Sequence, residues 1–453
     1  MCFWINYLYL IIGISLLLSI YVSGYKNKMG FSTYWYKNYT IKSVHNTQLP
    51  EVTPDQDFLY WFSGFTDAEG NFLITLDRDY IKFRFKISLH LDDINVLHII
   101  KSKLNIGRVT IENNRNRCSF IVEDYSNINV ICSIFKNYPL HTSKKLDFEN
   151  FYEAVCIKSK NNLSDSDKER IKFLKNSMNS KREIFLYNTG KSQIIINPNW
   201  FVGFLEGEGT FGIKTGSALY FQVAQKNTSP ESLNAIVTFL TGLSNNTLQD
   251  SKISPLNVVS TTNIKTNVVS LVVNSVDSLY YYILPFLNES KMYTRKSIDY
   301  KLWKIALLLK IHGYYYLPEG KKLFLDISDI LNKRYSTNIK TIDNIDERIT
   351  NIIERSQDIL KKDSPFDVKL NIPHAENVRK FSIANRSENP KTVYIYTEKG
   401  MLKGSPFTSF SSAHKALGLN PSSNTCNRYI DTNRLYKGKY IFSSNPIDRA
   451  SRG

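Results

Sequence analysis

Cysteine is scarce in this sequence, and what there is does not pair. Its 453 residues contain five cysteines, Cys2, Cys118, Cys132, Cys156 and Cys426, scattered and with no C-x-x-C spacing. This argues against a disulfide framework and against a cysteine-held zinc. The seven histidines include no H-E-x-x-H, which argues against a histidine-held metal as well. Acid is also in short supply, with 41 Asp+Glu against 58 Lys+Arg and a formal net charge of +17. That balance favours a polyanionic partner, either nucleic acid or an anionic membrane surface. The length allows two or three domains, each with its own core.

Charge is missing altogether from Met1 to Tyr25, and Tyr7 to Tyr21 is nearly all apolar, with Lys26 and Lys28 following. About 20 apolar residues suffice to span a bilayer. The run fits a membrane anchor, a signal sequence, or a translated remnant of a neighbouring membrane-protein reading frame. A polar connector, Asn38 to Thr53, separates it from the rest, so residues 1–52 are set apart as leader and connector. The abundance of Asn, Ile, Lys, Tyr and Phe, residues with AT-rich codons, hints at a GC-poor genome such as an organelle's.

What is present is a duplication. Phe62-Ser63-Gly64-Phe65-Thr66-Asp67-Ala68-Glu69-Gly70 returns as Phe201-Val202-Gly203-Phe204-Leu205-Glu206-Gly207-Glu208-Gly209. Each copy runs from apolar through small to acidic residues and closes on Gly, and each leads into strand-like sequence, so the chain is a tandem of two similar units. Thr53-Pro54-Asp55-Gln56 predicts a helix start with Thr53 as N-cap, Pro54 in the first position and Gln56 completing a capping box. Asn197-Pro198 opens the second copy likewise. Gly64 and Ala68, like Gly203 and Gly207, are four apart and share a helix face, so the two helices are expected to pack on each other. Glu69 and Glu208 end these helices, just before a Gly suited to a C-terminal cap. There they oppose the helix dipole, and in packed helices they repel each other. Local stability does not explain them, but a shared divalent cation does. Oxygen ligands with few protein contacts suit Mg²⁺.

Strands follow each helix. Lys82 to His90 alternates, with Phe83, Phe85, Ile87 and Leu89 on one face and Lys82, Arg84, Lys86, Ser88 and His90 on the other. Tyr220 to Lys226 is its counterpart, aligning Gln222 with Lys86 and Lys226 with His90. Further strands are expected at 107–112 and 117–123, joined by an Asn113–Asn116 hairpin, and at 255–260 and 267–273. Helices are expected between the strand pairs at 91–104 and 229–243. A basic, hydrogen-bonding ribbon fits a DNA major groove. The candidate DNA contacts are Lys82, Arg84, Lys86, Ser88, His90, Arg108, Arg115 and Arg117 in the first unit, and Lys214, Tyr220, Gln222 and Lys226 in the second. Beyond each sheet, Thr142-Ser143-Lys144-Lys145-Leu146-Asp147-Phe148 matches Thr294-Arg295-Lys296-Ser297-Ile298-Asp299-Tyr300. Lys144 and Lys296 are candidates for stabilising charge at a cleaved phosphate, or for anchoring the phosphate backbone.

The organisation read from these signals is repeat 1 at 53–190, repeat 2 at 191–345, a linker at 346–392 interrupted by prolines, and a small module at 393–445. In the module a short strand, Val393 to Tyr396, precedes two short helices, Ser411 to Leu417 and Ser422 to Ile430. These fit a helix-turn-helix presenting Asn424, Asn427 and Arg428 to DNA.

The paired nonamers, with Glu69 and Glu208 in the penultimate position, resemble the LAGLIDADG homing endonucleases of the single-chain, two-repeat type found in fungal mitochondrial introns. The Thr-x-Lys stretches at Thr142 and Thr294 and Asn179-Ser180-Lys181-Arg182 are also similar to that family. The tail is similar to the modular DNA-binding repeats attached to intron-encoded nucleases. The resemblance implies an α+β fold of two pseudo-symmetric halves forming a saddle, with antiparallel sheets in the major groove of a long asymmetric site, and a monomer. It implies site-specific cleavage of both DNA strands with Mg²⁺ or another divalent cation held by Glu69 and Glu208, with Lys144 and Lys296 as basic helpers, in the mitochondrion. The same scaffold also serves intron maturases, so a splicing cofactor that binds intron RNA is the alternative. Membrane contact rests on the leader alone. The nonamers depart from the family's name motif at several apolar positions and carry Glu where it has Asp, which keeps the carboxylate.

Overall fold

The computed structural model describes residues 54–77, 80–160, 162–182, 194–214, 217–246, 252–333, 344–367, 372–385 and 392–447. The apolar leader and its connector lie outside the described residues. Among the described residues no helix is long and apolar enough to cross a membrane.

The first repeat opens with α1 (Gln56–Glu69). Its N-cap is Asp55, whose carboxylate accepts the Phe58 N–H at 2.6 Å. The helix therefore starts later than the Thr53 reading placed it, because the Asp side chain takes the first orphan amides. Thr53 itself lies outside the described residues. α1 is followed by β1 (Gly70–Asp77), β2 (Tyr80–His90), α2 (Ile94–Leu104), β3 (Arg108–Glu112) and β4 (Arg117–Val122). α3 (Tyr125–Asn137), α4 (Lys144–Lys158) and α5 (Asp165–Asn176) complete the repeat. The turn between β3 and β4 is one short 3₁₀ turn, Asn113–Arg115, closed by Asn116 at φ 48°.

The second repeat repeats this order. α6 (Pro198–Glu208) is capped by Asn197, with Pro198 in its first turn, as the sequence predicts. β5 (Gly209–Ile213), β6 (Leu219–Lys226), α7 (Pro230–Gly242), β7 (Val259–Asn263) and β8 (Val268–Val273) follow. β7 lies a few residues beyond the expected 255–260, because Ile253 and Leu256 are spent on the core ahead of it. After β8 the chain passes a π-helical turn at Leu279–Ile283 into α8 (Leu284–Glu289), then α9 (Lys296–Ile311) and α10 (Pro318–Ile330).

Both four-stranded sheets are antiparallel and share one topology, β1-β2-β4-β3 and β5-β6-β8-β7. Their registers superpose: Gly70 pairs with Ile87 and Gly209 with Val223. Lys86 therefore occupies the place of Gln222, and His90 that of Lys226. In β2, Phe83, Phe85 and Ile87 are buried beneath α1 and α3, while Lys82 and Arg84 face out. Each repeat has its own aromatic-rich core, and Val202 of α6 packs into the core of the first.

The stretch 346–392, expected as a linker, instead carries α11 (Ile345–Leu360) and α12 (His374–Ala384). Ile349, Ile352 and Ile359 bury into the second repeat's core at helical spacing. Pro365 and Pro373 fall between these helices, Pro390 lies outside the described residues, and the Phe381 ring packs edge-on against Phe366 and at a tilt against Tyr316. The tail is more than a helix pair. β9 (Tyr394–Thr397), β10 (Gly400–Met401) and β11 (Ile441–Ser443) form a sheet in the order β10-β9-β11. Against it lie α13 (Phe410–Ala416), one residue ahead of the expected helix, and α14 (Thr425–Tyr429), which is shorter than expected. Buried His414 ties them together, its Nε2 accepting from Cys426 N and its Nδ1 meeting Pro421 O. Arg434 pins the tail to Asp326 and Asp329 of α10.

Candidate active site

The site is built where α1 and α6 meet. A Cβ on Gly64 would stand 1.8 Å from the carbonyl oxygen of Trp200, and one on Gly203 2.0 Å from that of Trp61. Only glycine permits backbones this close. The terminal glycines have a different reason. Gly70 and Gly209 are the C-terminal caps that the sequence suggested, their N–H groups donating to Thr66 O and Leu205 O, and they are extended, at φ −75° and −86°. A Cβ there would press on Thr66 at 2.5 Å or Leu205 at 2.1 Å, so the chain can turn from helix into strand only without one.

The seam carries both glutamates to its end. Glu69 and Glu208 are half-buried, and the Glu69 carboxylate leans over Gly207, where a Cβ would lie 3.3 Å from its Oε1. Burial, then the neighbouring Glu69, pushes the Glu208 carboxyl up to about 7. Burial also raises Glu69, against the opposing pull of Lys144 and Lys296. No described residue donates a hydrogen bond to either carboxylate. Lys144 Nζ donates to Ala68 O at 3.2 Å, and Lys296 Nζ donates to Gly209 O. Burial lowers the pKa of both lysines, while Asp67 or Asp299 and then the acids of the seam act against it. The four residues singled out in the sequence for chemistry thus share one electrostatic centre.

A layer that sequence reading missed holds this centre in place. Asp67 accepts from His141 N, Thr142 N and Thr142 Oγ1 at 2.7, 3.1 and 2.5 Å, and from Trp200 Nε1 at 3.0 Å. Glu206, its counterpart, accepts from Tyr293 N, Thr294 N and Thr294 Oγ1, and from Trp61 Nε1 at 2.6 Å. Each acid thus grips the start of the lysine-bearing helix in its own repeat and the tryptophan of the other. The available signal was the matching offset of Trp61 and Trp200 from their motifs. Flanking the seam, Arg295 pairs with Asp92 at 2.9 Å, and at the mirrored place Thr228 bonds Ser143 at 3.2 Å. Asn179 and Asn332, both left-handed, donate to Phe72 O and Phe211 O and so tie the last turn of each repeat to its first strand.

The first sheet gathers the expected DNA contacts on its outer face. Lys82, Arg84, Lys86, Ser88 and His90 lie along β2, with Arg117 opposite His90 and Arg108 opposite Ile121. Arg115 projects from the turn, exposed. Lys86 approaches Glu112 at 3.7 Å, and His90 approaches Asp92 at 3.3 Å. In the second sheet, Tyr220 and Gln222 are half-buried, while Lys214 and Lys226 are exposed. Asn424, Asn427 and Arg428 stand apart from the sheets, on α14 and at its cap, and α14 packs on α10. Asn424 and Asn427 are exposed. Arg428 is half-buried with Nε enclosed; burial raises the pKa of nearby Tyr315, and Ser217 and then Arg428 act against that rise.

A family model described as "LAGLIDADG endonuclease" matches residues 62–155 and 201–307, once over each repeat. The chain belongs to the LAGLIDADG endonuclease family. Its α+β fold, two pseudo-symmetric halves with antiparallel sheets, is that of solved LAGLIDADG enzymes. The homing endonuclease I-GzeII, solved with its DNA target, aligns over 61% of this chain and 99% of its own, at 24% identity and TM-score 0.50. The meganuclease I-CpaMI, solved bound to uncleaved DNA, aligns over the same shares at 25% identity and TM-score 0.50. Among curated relatives, the uncharacterized mitochondrial protein RF1 of Saccharomyces cerevisiae is 28% identical, covering 93% of this chain and 89% of RF1. Probable intron-encoded endonuclease 3 of Neurospora crassa is 29% identical over 40% of this chain, which spans 37% of that relative.

Proposed function

We propose that this LAGLIDADG protein is a site-specific double-strand DNA endonuclease of intron homing, acting in the mitochondrion and using a divalent cation. The observation that carries this reading is the seam itself. Two pseudo-symmetric carboxylates stand together without donors, beside two half-buried lysines, in a fold whose antiparallel sheets carry basic side chains.

Glu69 and Glu208 fit a divalent cation: both are oxygen donors, neither has a protein hydrogen bond to lose, and their mutual repulsion is what a cation relieves. Among the described residues no set of three or more His, Cys, Asp or Glu side chains gathers to hold a metal. Two carboxylates leave positions for water and phosphate oxygens, as Mg²⁺ prefers. Bound there, such a cation supplies an acidified water and charge stabilisation at phosphorus. Lys144 and Lys296, each held by a backbone carbonyl at the end of a motif, place one ammonium on each side of the pseudo-twofold, one for each strand. They stabilise charge that builds on the phosphate in the transition state. The outer faces of the sheets supply the DNA contacts of the two halves, with Asn424 and Asn427 of the tail extending them. A splicing cofactor needs neither glutamate, so the maturase alternative gains nothing from this site.

The test is incubation of the full chain with DNA spanning intron-free versions of mitochondrial genes, with Mg²⁺ and with EDTA. The expected result is one discrete double-strand cut that EDTA abolishes. Absence of cutting on every such substrate, or cutting that survives EDTA, overturns the reading.

A further inference from the structure

The first sheet carries an acid where a DNA-facing surface would gain from having none. Glu123, just past β4, sits between the two flanking strands. Its Oε1 accepts from Arg84 Nε of β2 at 2.5 Å, with Arg84 Nη2 also in contact. Its Oε2 accepts from Arg108 Nη2 of β3 at 2.5 Å. Burial raises the Glu123 carboxyl, but the hydrogen bonds from the two arginines outweigh it and hold it below the usual range. The two guanidiniums remain half-exposed, at 48% and 54% of their side-chain area.

The fold does not need this trio. By register, Arg84 corresponds to Tyr220, Arg108 to Val259 and Glu123 to Asn274, and the second sheet forms the same four strands without an ion pair at this place. Exposed ion pairs are worth little for stability, ~0–1 kcal/mol. A carboxylate also repels phosphate and weakens non-specific DNA binding. What it adds is geometry, since an arginine reads guanine only when its planar fork is aimed at O6 and N7.

Resting on the DNA-recognition reading above, we infer that Glu123 is a specificity-determining residue. It acts through Arg84 and Arg108, holding both forks in fixed orientation so that the first sheet reads guanine at two neighbouring positions of the target. Arg84 keeps Nη1 free and Arg108 keeps Nε and Nη1 free for base edges, while each fork's other end is fixed by the shared carboxylate. Removing Glu123 leaves both arginines on the surface but free to meet phosphates or other bases. Affinity for arbitrary DNA then rises while discrimination falls.

The experiment is selection from a randomised duplex pool in EDTA by the full chain and by E123A, E123Q, R84A and R108A. Wild type is expected to enrich a consensus containing guanines that R84A and R108A lose. E123A and E123Q are expected to lower the preference at those same positions roughly tenfold. They should leave the rest of the consensus intact and make binding to unrelated duplex tighter and steeper in salt. Failure of wild type to enrich any consensus overturns the DNA-recognition reading itself. A wild-type consensus that E123A and E123Q reproduce with undiminished preference under Arg84 and Arg108 overturns only the role given to Glu123. E123Q keeps the shape of the side chain, so a misfolded E123A, seen by circular dichroism, leaves the question answerable.

Discussion

Placing a methyl group on the seam separates its two roles. A Cβ at Gly64 meets Trp200 O at 1.8 Å and Phe204 N at 3.0 Å, and one at Gly203 meets Trp61 O at 2.0 Å and Phe65 N at 2.8 Å. These obstacles are backbone atoms, which cannot rotate aside. Ordinary contact is about 3.5 Å, so α1 and α6 must part by roughly 1.5 Å. Overpacking of this kind costs roughly 1–3 kcal/mol, and a displacement of about 1 Å at reacting groups costs on the order of 100-fold in rate. G64A and G203A are therefore expected to lower the denaturant midpoint and to cut DNA at least about 100-fold more slowly. At Gly207 the neighbours are side chains, Ala68 Cβ at 2.3 Å and Glu69 Oε1 at 3.3 Å. G207A should lose more cleavage than stability, because the group displaced is the carboxylate. Gly242, at the end of α7 with nothing within 4 Å, is the control. G242A should gain up to ~1 kcal/mol and keep full activity. If G64A and G203A melt and cut as G242A does, the reasoning about the seam is wrong.

Three further outcomes follow from the layers around the site. W61F removes one of the donors to fully buried Glu206, and W200F one of those to Asp67, so each should cost about 1–3 kcal/mol in urea unfolding. K144M and K296M are each expected to slow cleavage about 100-fold with little change in DNA affinity by gel shift, since the lysines face developing charge. Burial, then the nearby Lys310, lowers the His374 pKa to about 4, so above its ordinary value of 6.5 this group contributes no pH dependence. Between 6.5 and 4 the unfolded chain binds the proton more strongly, so stability is lost as pH falls through that window. The loss reaches roughly 3 kcal/mol at most, and the difference in urea midpoint between wild type and H374L across pH 5 to 7 measures it.

Much of this was legible because the duplication repeats chemistry as well as shape. The nonamers exposed the seam and both glutamates, and strict alternation from Lys82 to His90 exposed the outer face of β2. What was not legible depends on contacts between distant stretches. Thr142 and Thr294 were visible as a repeat, yet their partners Asp67 and Glu206 declare themselves only when α1 and α6 cross and bring each tryptophan to the other repeat's acid. Helix α11 was missed for another reason. Its isoleucines have helical spacing, but dense charge on the opposite face and the prolines that follow it read as a linker. The tail's sheet was hidden by its size, since two-residue and three-residue strands leave no period to detect. Glu123 ended a predicted strand without distinction, and only the register places it between Arg84 and Arg108.

In the function proposed for this protein, the two motif glutamates together carry out the cutting. The measurement that tests it most directly compares wild type with E69Q, E208Q and the double variant on a supercoiled plasmid bearing the target, with Mg²⁺ present. Wild type is expected to linearise the plasmid, while all three variants bind the target at least as tightly and cut neither strand. Linear product from the double variant at the wild-type rate would contradict it.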